Sequence, residues 1–177
     1  MSEEDGTQGE IRDAGDFSAW LSEMRAALRG DRTAQVPCGS CTACCTSFQF
    51  VHVGPDETDT LAHIPSDLLV PAPGKPRGHV VLGYDKSGHC PMLIDGRCSI
   101  YDHRPQTCRS YDCRVFAAAG VVADQPAIAE RVQQWRFTYR EPGDRFLHEA
   151  VRFLVQRYGP DAGPIEKAVR AVEGVDS

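Results

Sequence analysis

The sequence lacks a long apolar run, and its first residues lack the basic start and apolar stretch of a secretory signal. A membrane-spanning helix needs about 20 consecutive, mostly apolar residues, so we expect no membrane partner. We expect a cytoplasmic protein, because a chain without an export signal stays in the reducing cytosol. Disulfides are uncommon there, which favours metal binding as the use of its cysteines.

The sequence also lacks an excess of positive charge and the common catalytic motifs. Its 19 Lys and Arg residues stand against 25 Asp and Glu residues, giving a net charge of -6. Nucleic-acid binding relies on a basic surface, so we expect no nucleic-acid partner. An H-E-x-x-H zinc motif, a phosphate-binding loop, a dinucleotide-binding glycine pattern and a G-x-S-x-G motif are all absent. The sequence therefore leaves open whether the protein is an enzyme.

What the sequence does contain is eight cysteines in two groups of four. The first group occupies the run CGSCTACC, and the second lies between residues 90 and 113. A C-x-x-C turn brings two thiolates towards one metal ion, and two overlapping units here bring three. The sequence therefore predicts metal ligation by Cys38, Cys41, Cys44, Cys45, Cys90, Cys98, Cys108 and Cys113.

The neighbouring residues Cys44 and Cys45 are the unusual feature of the first group. Adjacent side chains point to opposite faces of a strand and diverge by roughly 100° in a helix. We therefore expect that the two do not serve one zinc ion side by side. They could bind two metals, or one could bind while the other stays a buried thiol. We also expect the two groups to share their metals, with Cys90 and Cys98 meeting partners from residues 38–45.

The ligand set leaves the metal open between zinc, an iron–sulfur cluster and copper(I), and Zn²⁺ or an iron–sulfur cluster is the expected cofactor. Two arginines, Arg104 and Arg109, bracket Cys108. A metal bound by four thiolates carries negative charge, which these arginines could neutralise while donating hydrogen bonds to sulfur. His103 is interpreted as a surface or core residue rather than a ligand, and His63 shows no useful spacing.

The hydrophobic pattern predicts one domain. Residues 1–14 are interpreted as a disordered acidic lead, and residues 15–177 as a single domain with a cysteine-cluster core at 38–116 and C-terminal helices at 125–172. The Asp95-Gly96 dipeptide is typical of a two-residue hairpin turn between Cys90 and Cys98. The other predicted elements are a helix from Asp16 to Leu28, strands at 48–53 and 79–84, a short helix at 57–63, a helix from Pro105 through Cys108 towards Phe116, helical stripes at 128–139 and 146–158, and a helix at 164–172.

These elements predict a small, mostly helical α+β fold, with short strands and a hairpin around an irregular cysteine–metal centre.

The run C-G-S-C-T-A-C-C, followed by C-P-M-L at residue 90 and C-S-I-Y-D-H-R-P-Q-T-C-R from residue 98, resembles the YkgJ-type CxxCxxCC cysteine-cluster family. The resemblance spans roughly residues 38–116 and implies zinc or iron chelation by the matching cysteines. It also implies a distant similarity to the cysteine-rich part of flagellin lysine N-methylases. This chain shows no recognisable methyl-donor site, so methylase activity does not follow from the resemblance.

Three hypotheses result. The first is a metal-binding protein that holds zinc or an iron–sulfur centre through two groups of four cysteines. The second is an iron-dependent redox or protein-modifying enzyme, in which one metal position stays open for a substrate. The third is a zinc-stabilised interaction module that binds another protein.

Overall fold

The computed structural model describes residues 10–175. Residues 1–9 of the expected acidic lead therefore lie outside the described part of the chain. The predicted disorder was wrong for residues 12–14, because Arg12–Asp16 forms a strand that pairs with another strand late in the chain.

The described chain contains helices and short strands in small sheets, which confirms the predicted α+β class. In residues 10–175 the helices are α1 (Phe17–Leu28), α2 (Thr58–His63), α3 (Gln106–Ser110), α4 (Arg114–Ala119), α5 (Pro126–Gln134), α6 (Pro142–Val155) and α7 (Pro164–Gly174). The strands are β1 (Arg12–Asp16), β2 (Val51–Val53), β3 (Leu69–Pro71), β4 (Val80–Leu82), β5 (Leu93–Ile94), β6 (Arg97–Cys98) and β7 (Trp135–Thr138).

No helix within residues 10–175 combines the length and apolar character needed to cross a membrane. Contacts divide the chain into two compact units. Of the described residues, the first unit contains 10–21, 113–124 and 129–175, and the second contains 22–112 and 125–128. The single domain at 15–177 stays a prediction.

The first unit is built on a parallel pair of strands and on helices that pack together. Strand β1 pairs with β7, and α4 contacts both α6 and α7. Helix α6 begins with a reciprocal capping box between Glu141 and Asp144, which satisfies amide groups of its first turn. At the centre of the unit, the ring of Phe17 stacks on the imidazole of His148 at 4.3 Å.

The second unit contains a three-stranded antiparallel sheet in the order β2-β4-β3. A hydrophobic cluster brings together strand and loop residues of this unit, and the partly buried Cys90 and Cys98 pack against it. These two cysteines are thus anchored to the core by ordinary apolar burial. The buried members of the cluster are Val53, Ile64, Leu82, Met92 and Ile100.

The hairpin predicted around Asp95-Gly96 is confirmed. Leu93 pairs with Cys98 and Ile94 with Arg97 in an antiparallel register. Asp95 and Gly96 have φ angles of 50° and 72°, which are the two positive values that a type I′ turn requires.

Two predicted helices differ from the structure. The helix from Pro105 stops at Ser110, because Tyr111 adopts an extended conformation, and a separate helix begins at Arg114. The helical stripe at 128–139 ends at Gln134. The next four residues form β7, in which the side chains of the sequence WRFT alternate in burial as they do in a strand.

Candidate metal centre

Tight turns hold the first cysteine group. The amide of Cys41 donates to the carbonyl of Cys38 at 3.1 Å, and the amide of Cys45 donates to the carbonyl of Thr42 at 2.8 Å. The hydroxyl of Ser47 closes the second turn by donating to the carbonyl of Ala43 at 2.5 Å. These local bonds fix the backbone of the CGSCTACC run without any regular helix or strand beyond one turn of 3-10 helix.

The sulfurs of Cys44 and Cys45 lie 3.9 Å apart. The expectation that these neighbouring side chains diverge is therefore wrong. It assumed the regular geometry of a strand or an α-helix, whereas this pair lies in a 3-10 turn, Ala43–Cys45. Two sulfurs bound to one zinc ion at about 2.3 Å lie about 3.8 Å apart in tetrahedral geometry. The spacing of the two sulfurs is thus compatible with one metal.

A backbone hydrogen bond joins the two cysteine groups. The amide of Cys90 donates to the carbonyl of Cys45 at 2.7 Å. The hairpin then brings Cys98 close to Cys90, and the charge of Cys98 contributes to raising the pKa of the Cys90 thiol after the larger effect of burial. Cys90 therefore meets the first group at Cys45, and the sharing of metals between the two groups stays a prediction.

Cys108, on α3, faces the same thiols. The pKa of Cys108 is raised to about 12, first by burial and then by the charges of Cys44, Cys90 and Cys98, while the charge of Arg104 acts in the opposite direction. One thiolate changes the pKa of another noticeably only when the two groups lie close together in a partly buried environment. Helix α3 thus brings Cys108 close to Cys44 of the first group and to Cys90 and Cys98 of the second.

The pKa of the Cys44 thiol is raised as well. Its hydrogen bond with Cys45 raises its pKa most, burial raises it next, and the charge of Arg104 lowers it. The residue is the exposed one of the eight cysteines, and the other seven are half-buried. We name the following set the thiol cluster: Cys44, Cys45, Cys90, Cys98 and Cys108.

The two arginines that bracket Cys108 have different surroundings. The Nε of Arg104 donates to the carbonyl of Tyr101 at 2.8 Å, and its guanidinium lies over the tyrosine ring at 3.7 Å. This holds a positive charge beside the thiol cluster. The Arg109 guanidinium lies 3.7 Å from the carboxylate of Glu57. A role for Arg104 and Arg109 in supporting bound metal stays a prediction.

Cys113 belongs to the first compact unit, whereas the other seven cysteines belong to the second. It directly precedes α4, and the indole Nε1–H of Trp135 donates to its sulfur at 3.2 Å. Cys38 and Cys41 lie in the turn before the thiol cluster. Metal ligation by Cys38, Cys41 and Cys113, as by the thiol cluster, stays a prediction.

Glu57 positions the helix that carries Cys108. One carboxylate oxygen accepts from the amide of Gly54 at 2.8 Å, and the other accepts from the amide of Gln106 at 2.6 Å. Gln106 is the first residue of α3, so its amide has no partner within the helix. Glu57 therefore caps α3 from a distant point in the chain.

A second group of metal-type ligands was missed at the sequence level. Asp59, His63 and His103 form the one set, within residues 10–175, of three or more such residues whose ligand atoms all lie within 4.8 Å of one another. Asp59 and His63 are four residues apart on the short helix predicted at 57–63, and this spacing could have identified them. The hydrogen bond from His103 holds the pKa of Asp59 below its usual value.

A family model described as "CxxCxxCC: Putative zinc- or iron-chelating domain" matches residues 37–131. The matched segment is more than half of the 177 residues and includes all eight cysteines. Comparisons with curated proteins and with solved structures found no match.

Proposed function

Because the chain belongs to the CxxCxxCC family, we propose that it binds zinc or iron through the thiol cluster, with both cysteine groups contributing to a shared centre. The observation that supports this best is the meeting of Cys44 with Cys90 and Cys108, whose thiols come from three separate segments. Soft thiolates in this number suit zinc and iron.

The electrostatics of the cluster disfavour free thiolates. Burial raises the pKa of Cys90 and Cys108, so without a cation both thiols stay protonated at neutral pH. A metal ion reverses this balance, because it compensates the thiolate charge at close range and displaces the protons. If a metal displaced all of these protons, the five thiolates would carry five negative charges, of which Arg104 could offset one. A metal cation would compensate the remainder.

The spacing of the sulfurs favours a centre with more than one metal atom. A single zinc ion holds four sulfurs about 3.8 Å from one another. Among the described residues, no three cysteine sulfurs all lie within 4.8 Å of one another. Thiolates that bind different iron atoms of one cluster tolerate a wider separation. We therefore propose an iron–sulfur or other multinuclear centre ahead of a single zinc ion. Such a centre suits the reducing cytoplasm that we propose as its location.

Replacing Cys108 with Ser tests the shared centre. Serine keeps the size of the side chain but is a poor ligand for soft metals, so we expect the metal content per chain to fall by at least half. The protein is purified without oxygen, and its iron, zinc and sulfide are quantified. The matched control is Ser110→Ala on the same helix. It removes only a hydroxyl that donates to the carbonyl of Gln106, and it is expected to retain the metal.

Wild-type metal content in Cys108→Ser would contradict a shared centre that includes α3. Equal losses in both variants would mean that any disturbance of α3 releases the metal, and would contradict ligation by Cys108.

A further inference from the structure

We propose that Asp59, His63 and His103 form a second metal site, which uses no cysteine and binds a divalent first-row transition ion such as Zn²⁺. Its ligands are one carboxylate and two imidazoles. This proposal does not depend on the thiol cluster, because none of its ligands is a cysteine, although His103 lies between Cys98 and Cys108 in the sequence.

The fold brings the three residues together from two elements. Asp59 and His63 are separated by one turn of α2, so their side chains lie on the same face of that helix. His103 ends a 3-10 turn, Tyr101–His103, that packs against α2. One ligand pair is thus set by helix geometry, and the third ligand is set by tertiary packing.

The distances suit a metal ion. The Nδ1 of His103 lies 2.8 Å from Oδ2 of Asp59, and the Nδ1 of His63 lies 3.8 Å from Oδ1 of the same carboxylate. With metal–ligand bonds of about 2.0–2.1 Å, neighbouring ligand atoms on one ion lie about 2.9–3.4 Å apart. The two observed distances lie just outside this range on either side and end on different oxygens of the carboxylate, so the three residues are close enough to share one ion once the rings reorient.

The rings must reorient when the ion binds. The imidazoles of His63 and His103 stack with centroids 3.5 Å apart and planes 7° from parallel. A ring nitrogen binds a metal along its in-plane lone pair, and the lone pairs of parallel rings do not converge. The His63 ring also makes a 2.8 Å hydrogen bond through Nδ1 to the carbonyl of Asp59. The two side chains are 40% and 39% exposed, which leaves room for the rings to turn about χ2.

The donor set selects the class of ion. Two imidazole nitrogens and one carboxylate oxygen favour zinc and its transition-metal neighbours over calcium and magnesium, which prefer oxygen ligands throughout. Three protein ligands at an exposed position leave coordination positions for water or another small ligand, as in open zinc sites. The site is therefore of the open, exchangeable type.

The experiment uses the full chain with its thiol-bound metal in place and adds Zn²⁺ as the probe. Equilibrium dialysis measures the zinc bound beyond the metal already present, and NMR of the histidine ring protons identifies the rings that respond. For the wild type we expect one additional equivalent, with shifts of the His63 and His103 resonances. Asp59→Asn and His103→Gln should each weaken this binding by at least tenfold.

The chain offers a matched control in another histidine pair. His52 and His79 also stack, with Nε2 and Nδ1 2.9 Å apart. Within residues 10–175, no third metal-type ligand atom lies within 4.8 Å of both of them. His79→Gln removes one imidazole from that pair and should keep the additional zinc. Circular dichroism verifies that each variant folds, and His63→Gln is a second variant of the site if either of the first two does not fold.

Wild-type zinc binding in Asp59→Asn and His103→Gln would overturn the proposal, and the cluster would then be only a network of ion pairs. Equal loss in His79→Gln would also overturn it, since the zinc would then bind histidines in general. The thiol-bound metal is measured separately in each variant. Failure of this site is therefore distinguishable from failure of the thiol cluster.

Discussion

Replacing Glu57 with Ala tests how helix α3, which carries Cys108, is held in place. The carboxylate accepts hydrogen bonds from the amides of Gly54 and Gln106, and it lies 3.7 Å from the guanidinium of Arg109. The alanine variant removes all three interactions at once. It leaves two backbone amides to find water in a site where the Glu57 side chain is only 13% exposed.

The expected loss follows from these contacts. A hydrogen bond to a charged acceptor contributes about 1.5–3 kcal/mol, and the lower value applies here because water reaches part of the site. Two such bonds give about 3 kcal/mol, and the longer pair with Arg109 adds less than about 1 kcal/mol. For a chain of this length, 1 kcal/mol shifts the unfolding midpoint by about 2–4 °C. We therefore expect Glu57→Ala to lower Tm by about 6–12 °C.

Thermal unfolding is followed by circular dichroism at one fixed metal concentration, because bound metal itself shifts the midpoint. Glu57→Gln keeps one acceptor oxygen and should show about half of the loss. Asp67→Ala removes an exposed acidic residue of the same unit and should change stability by less than about 0.5 kcal/mol. If Glu57→Ala is no less stable than Asp67→Ala, the carboxylate does not anchor α3 and this reasoning is refuted.

Two further predictions concern the backbone and pH. Gly88→Ala should lower the free energy of unfolding by about 2–3 kcal/mol, because φ is +81° and a Cβ would lie 2.6 Å from the ring of Phe48. Gly74→Ala carries only the backbone strain, since its φ is +69° and nothing lies within 4 Å, so equal losses in urea unfolding would contradict the steric argument. Burial is the main cause that lowers the pKa of His148 below its ordinary value of 6.5. As pH drops, His148 is therefore protonated first in the unfolded chain. The free energy of unfolding falls below about pH 6.5, by at most about 1.4 kcal/mol per pH unit. His148→Gln should flatten this part of the Tm–pH curve, and parallel curves for the two proteins would show that His148 does not cause the slope.

Local sequence rules predicted the elements whose geometry depends on nearby residues. The Asp95-Gly96 turn is such a case, because the positive φ angles depend on the two residues themselves. Helix α6 is another in part, since the apolar stripe at 146–158 indicated a helix, although the helix spans Pro142–Val155 and Phe146 is 78% exposed. The meeting of Cys90 and Cys98 follows from the hairpin, so this part of the thiol cluster was predictable as well.

Other features depend on partners far away in the sequence. Trp135–Thr138 has a pattern that fits either a helix or a strand, and its parallel pairing with Arg12–Asp16 decides for the strand. The approach of His103 to Asp59 likewise results from tertiary packing between α2 and a later turn. Sequence periodicity carries no information about such encounters. Sequence periodicity also could not predict the side-chain orientations in the 3-10 turn that bring the sulfurs of Cys44 and Cys45 together.

The most direct test of metal binding by the cysteines is elemental analysis of the wild-type protein purified without oxygen, combined with thiol titration and a visible absorption spectrum. We expect at least one equivalent of zinc or iron per chain, with several of the eight cysteines protected from thiol reagents until a chelator removes the metal. A multinuclear iron centre would add broad visible absorption and acid-labile sulfide. Less than one equivalent of transition metal, together with eight reactive thiols, would contradict the account.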